Sequence, residues 1–115
     1  MVAAASIAAG FSAALYFWFL PAILAQPLLR AVLITEHTGC SKDGNGLSNT
    51  RTTLASAPIR LLMWNMPYHA EHHAYPAIPF HALPRLHARV RGKIENLEAG
   101  YVRASVKVAR YLLRG

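Results

Sequence analysis

Apolar residues dominate the first quarter of the chain and then give way to shorter, patterned runs. Residues 1–29 contain no charged side chain. A helix that crosses the hydrocarbon core of a bilayer needs about 20 apolar residues. Residues 2–20 nearly meet that alone, and residues 23–29 extend it. The pattern predicts a membrane-spanning helix over residues 2–29. Pro21 and Pro27 predict kinks, because each removes a backbone donor. Tyr16, Trp18 and Phe19 suit an interface or a helix contact. The small residues at 3–14 would let another helix approach closely. A signal peptide would have an apolar core of about 7–15 residues behind a basic start; this stretch is longer and lacks that start.

Arg30 is expected to mark the exit from the membrane. Residues 35–49 are rich in Gly, Ser, Lys and Asp and predict a loop. A second apolar run, 54–66, is interrupted by Pro58 and Arg60 and is too short and too charged to cross alone. It fits an interfacial or re-entrant helix, with Arg60 snorkelling to the headgroups and Trp64 at the interface. Such a segment returns the chain to the same side of the membrane and would place His69 beside His37.

Asn65 and Pro67 suit a helix start, so a further helix is expected from about Met66 to just before Pro76. Pro76, Pro79 and Pro84 predict an irregular passage, with His81 and His87 exposed in or after it. Residues 92–113 predict a final helix. Ile94, Leu97, Tyr101, Val108 and Leu112 form one stripe, and Arg103, Lys107, Arg110 and Arg114 the opposite one. Such a helix would lie on an anionic membrane surface or pack against the core. The expected fold is all-α and integral to the membrane: one transmembrane helix, an interfacial segment and His-bearing helix over 54–75, and a basic amphipathic helix over 92–113.

At 115 residues the chain holds one domain at most. A hydrophobic content of 54% and a formal net charge of +7 conflict in an ordinary soluble domain. They reconcile because the two kinds of residue are segregated: ten of the twelve Lys and Arg follow residue 50. Basic residues concentrate on the cytoplasmic side of short loops, so the His-rich region and the C-terminus are expected there. Nucleic-acid binding is disfavoured, since no stacking aromatics or known module accompany the basic helix. The lone Cys40 excludes an intramolecular disulfide and lacks the local charge that would activate a thiol.

The candidate chemistry lies in Asn65-Met-Pro-Tyr-His-Ala-Glu-His-His-Ala-Tyr-Pro76. His69, His72 and His73 follow H-x-x-H-H. At ~100° per residue, His72 and His73 both fall within about 60° of His69 on a helix. Three imidazoles on one face can converge on a metal or a pair of metals. The zinc-peptidase pattern H-E-x-x-H fails because Ala70 stands where Glu is needed. The inverted pattern fails because Glu71 follows His69 by two residues, not three. No Cys is near enough to complete a structural zinc site, which leaves iron bound mostly by imidazole. Asn65 could cap the His helix or hydrogen-bond His69. Glu71 points off the His face and could orient an imidazole or pair with an Arg.

Asn65, Tyr68, His69, Glu71, His72, His73, Pro76, Ile78 and Pro79, followed by Leu83 and Pro84 in L-P-x-L-H, resemble the C-terminal portion of the membrane fatty-acid desaturase superfamily. Bacterial acyl-lipid and sphingolipid desaturases carry the nearest pattern. Glu36-His37 resembles an E-H element those proteins have about thirty residues earlier. The resemblance covers roughly residues 15–90. It implies a multi-pass enzyme, of the inner membrane in a bacterium, that desaturates a lipid acyl chain with dioxygen at a di-iron centre. It implies electrons from a ferredoxin or cytochrome-type donor, and His37, His69, His72 and His73 as iron ligands.

The family's two earlier His boxes are absent from this chain, and Leu33 stands where some relatives have Asn. Four His cannot enclose two irons, so the chain is expected to be the C-terminal piece of a longer enzyme, or to pair with a chain carrying the N-terminal part. A hydroxylase or carotenoid ketolase of the same superfamily, or a non-catalytic membrane fragment, are the alternatives.

Overall fold

The computed structural model describes residues 10–115 and is mostly helical. Residues 2–9 of the expected membrane segment, with most of its small-residue run, lie outside the described residues. From Ser12 the chain is continuously helical to His37: α1 (Phe11–Ala14), a π-turn (Leu15–Phe19) and α2 (Leu20–His37). The most apolar 18-residue window of this stretch has a mean hydropathy of 1.7, and none of that window is buried. At 1.5 Å per residue the 26 residues reach about 39 Å, enough to cross a hydrocarbon core of about 30 Å. The distortion expected at Pro21 takes the form of the π-turn just before it, where the Leu20 N–H bonds Leu15 O, five residues back. Pro27 lies inside α2, and the helix runs past Arg30 to His37.

Residues 33–115 form a compact unit of their own. Its short elements are α3 (Gly46–Asn49), β1 (Thr52–Thr53), α4 (Ala57–Leu62), α5 (His69–Ala74), α6 (Leu83–Val90), β2 (Leu97–Glu98) and α7 (Tyr101–Arg114). Leu47, Ala70, Val90 and Ile94 make a small apolar core. Around it Arg51, Thr52, Thr53 and Glu71 are also buried. Buried polar groups are tolerated where they are hydrogen-bonded, and most of these are.

Three expected boundaries move. The final helix begins at Tyr101, not at 92. Residues 97–98 are diverted into a parallel pairing, Thr52 with Leu97 and Thr53 with Glu98. Gly100, at φ +96, then turns the chain into α7. The His helix begins at His69, not near Met66, because Tyr68 before it is non-helical (φ −81, ψ 56); further upstream, Trp64 and Asn65 adopt left-handed backbone conformations (φ 52 and 57) that keep α4 from running on. Within 35–49, α3 interrupts the expected loop; Asn45 caps it by accepting from the Leu47 N–H at 3.1 Å.

Arg60 is half-buried, and its Nη1 donates to the Tyr68 hydroxyl at 3.0 Å. Leu61, Leu62 and Trp64 beside it are exposed. In α7, Ala104 and Val108 are buried while Leu112 is exposed, so only the first turns of its apolar stripe pack inward.

Candidate metal centre

Two helices bring the imidazoles together, and both are fixed by residues outside them. His37 is the last residue of α2. The carbonyls of a helix's last turn have no partner within it. Arg51, almost wholly buried, supplies three donors: its backbone N–H to Glu36 O (2.8 Å), Nη2 to Thr38 O (3.1 Å) and Nη1 to Thr35 O. Gly39, at φ +74, ends the helix, and the Tyr111 ring lies against it.

The His helix α5 lacks a cap from its own Tyr68. Thr52 of β1 provides one: its Oγ1 accepts from the Ala70 N–H (3.3 Å) and donates to Glu71 Oε2. Glu71 Oε1 meets Nδ1 of His87 from α6. One buried carboxylate thus ties β1, α5 and α6 together.

The result is a cluster of ring nitrogens. His69 Nε2 lies 3.0 Å from His37 Nε2 and 3.1 Å from His73 Nε2. All three nitrogens fall within 4.8 Å of one another. Two nitrogens each about 2.1 Å from one ion, at a right angle, would stand about 3.0 Å apart, so the observed spacing fits a shared metal. A hydrogen-bonded trio would fit less well, since His69 Nε2 has one hydrogen or one lone pair to offer two neighbours.

His69 is buried, while His37 and His73 open onto a cleft of ≈ 290 Å³ that Ser41, Lys42, Asp43 and Thr50 also line. Burial, then the neighbouring His73, His37 and His72, pushes the His69 pKa down to about 3. Burial and the adjacent imidazoles lower that of His73 as well. Both rings are therefore neutral at physiological pH, the state a metal requires.

His72 is half-buried and outside this trio; its ring centre lies 6.2 Å from that of His69 and 5.8 Å from that of His73. Asn65 neither caps α5 nor is seen bonded to His69: its Nδ2 donates to Phe80 O at 3.1 Å and pins the left-handed turn. Glu71 orients an imidazole, but that of His87. His87 is buried, against expectation, because Glu71 draws it in and the Tyr68 ring lies 5.0 Å away. His81 is exposed, as expected.

Sequence reasoning missed Arg51, Thr52 and Gly46. A charged residue within the polar run Thr50-Arg-Thr-Thr53 was the one available signal. A Cβ on Gly46 would lie 2.3 Å from Ala74 N and 2.6 Å from His73 C, so α3 and α5 touch backbone to backbone.

A long apolar helix that could span a membrane, followed by a compact unit with three imidazoles that could hold a metal, defines the class of arrangement seen here. The fatty acid desaturase family matches residues 1–105, and the chain belongs to that family. The cluster of His37, His69 and His73 is consistent with one of its histidine boxes, and membership implies oxidoreductase activity. Comparisons with curated proteins and with solved structures found no match.

Proposed function

We propose that this chain is the metal-binding C-terminal part of a membrane di-iron desaturase that introduces a double bond into a lipid acyl chain, using dioxygen and electrons from a ferredoxin or cytochrome-type donor. The observation that carries the reading is the convergence of three Nε2 atoms from residues up to 36 positions apart, at 3.0 and 3.1 Å. Family membership supplies the reaction class.

In this reading His37, His69 and His73 would hold one iron, and His72, on the same helix, would serve the second. Histidines outside this chain would complete both. Bound iron supplies the oxidising power that side-chain acids and bases lack for attack on an unactivated methylene. The protein's own contribution is positional. Arg51 fixes the end of α2, Thr52 and Glu71 fix α5, and burial keeps His69 neutral. The apolar helix Ser12–His37 and the exposed Leu61, Leu62 and Trp64 would keep the site at the bilayer, where acyl chains are.

The test is to co-express the chain with a polypeptide carrying the remaining histidine boxes and to profile cellular lipids. New double bonds, lost in His69→Ala, are expected. Hydroxylated acyl chains or oxidised carotenoids, or an unaltered lipid profile from an iron-loaded protein, would contradict the proposal.

A further inference from the structure

The cluster leaves one buried atom unexplained. For Nε2 of His69 to offer its lone pair to a metal, the ring hydrogen must sit on Nδ1. Nδ1 of His69 is buried and lacks a hydrogen-bond partner. The carboxylate of Glu36 faces it, with Oε2 at 3.6 Å. Glu36 is itself only 2% exposed. Its other oxygen, Oε1, accepts from the Tyr101 hydroxyl at 3.3 Å.

Tyr101 comes from the first turn of α7, and several contacts fix its position. Thr52 N–H bonds Asn96 O (2.9 Å) and Leu54 N–H bonds Glu98 O (2.8 Å), which holds the chain up to Gly100. Ala104 and Val108, one and two turns on, are buried and anchor the helix. The phenol also lies 3.8 Å from Met63 Sδ. Burial, then Glu36, raises the Tyr101 pKa, which keeps the hydroxyl a donor.

We propose that Tyr101 is a positioning residue for the metal centre. Its hydroxyl orients the Glu36 carboxylate, which selects the Nδ1–H form of the His69 ring and so presents Nε2 to the metal. The inference rests on reading the cluster as a metal site. It adds α7 to the helices that define that site, through a residue outside the motifs that first suggested it. A partner to the far nitrogen of a ligating His fixes ring orientation and raises ligand basicity; losing such a partner typically weakens metal binding by about 10–100-fold. Tyr101 acts one step further out, so an effect of about 3–10-fold is expected.

The experiment uses the full chain, labelled with nitrogen-15 at histidine, in lipid nanodiscs. Nitrogen NMR of the metal-free protein reports the His69 tautomer. Titration with Co²⁺, followed by its visible absorption, then reports affinity. Wild-type protein should show His69 protonated at Nδ1. Tyr101→Phe should move His69 toward a mixture of tautomers and weaken Co²⁺ binding by about 3–10-fold. Glu36→Gln, which can offer an amide hydrogen to Nδ1, should favour the opposite tautomer. Tyr111→Phe, on the same helix, should change neither readout, and an unaltered His87 signal shows that the fold is kept. Loss of affinity without a tautomer change, a tautomer change without loss of affinity, or no change in either would overturn the role of Tyr101. If wild-type protein takes up no Co²⁺, the metal reading itself fails, and that failure is distinct.

Discussion

Gly46 and Ala74 meet backbone to backbone: a methyl group on Gly46 would stand 2.3 Å from the Ala74 nitrogen. Ala74 closes the helix that carries three of the candidate ligands, so this contact sets how closely α5 approaches the loop after His37. Overpacking a tight site typically costs about 1–3 kcal/mol, and backbone cannot yield as a side chain can. Gly46→Ala is expected to lie at the upper end, about 3 kcal/mol, and to spread the nitrogen cluster. Chemical denaturation in detergent and a Co²⁺ titration read the two effects. Unchanged stability together with unchanged affinity would contradict the contact.

Arg51 is a second fixed point. Replacing its side chain removes the guanidinium donors to the carbonyls of Thr35 and Thr38, while the backbone N–H at 51 still serves Glu36 O. Hydrogen bonds to charged groups are worth about 1.5–3 kcal/mol. Arg51→Met should cost about 2–4 kcal/mol on that basis. Arg51→Lys should recover only part, because an ammonium cannot span two carbonyls as the planar guanidinium does. Denaturant midpoints of the two variants check the order.

His81 and His87 look alike in sequence and differ in structure. His87 Nδ1 meets the buried Glu71 side chain, and removing His87 leaves Glu71 to its bond with Thr52. His87→Ala should cost about 3 kcal/mol, the scale for breaking a buried pair. His81→Ala, at an exposed position, should stay within about 0.5 kcal/mol of wild type. Equal effects from both would contradict the Glu71–His87 pairing.

The pH dependence follows from His69. Its pKa is about 3 in the folded protein against an ordinary value of 6.5. Between those values the unfolded chain binds a proton that the folded protein does not, so stability rises with pH there. The contribution is complete above about pH 6.5 and is lost progressively as pH falls toward 3, with a slope of up to about 1.4 kcal/mol per pH unit. Metal binding should weaken over the same range. Denaturation curves at several pH values, with His69→Gln as reference, test it: the slope should flatten in the variant.

Local chemistry was legible in the sequence. The spacing of His69 and His73 placed both on one helical face, because a turn of helix is a short-range fact. The long apolar helix was legible for the same reason. The approach of His37 to His69, 32 residues apart, was suggested by the re-entrant reading of residues 54–66 and by resemblance, since periodicity alone carries no information about distant segments. Two-residue strands such as β1 and β2 are too short for an alternating pattern to register. The left-handed pair Trp64 and Asn65 gave no warning from Trp64, a residue that seldom adopts that conformation. His87 was misplaced because its burial depends on a carboxylate 16 residues away.

Iron K-edge X-ray absorption on the iron-loaded enzyme, together with iron content per chain, tests the central claim most directly. Scattering from imidazole is expected at the metal. Both that scattering and the bound iron should fall when His37, His69 and His73 are all replaced by Ala. Iron retained in full by the triple variant, with the imidazole signal intact, would contradict the assignment of these three rings as ligands.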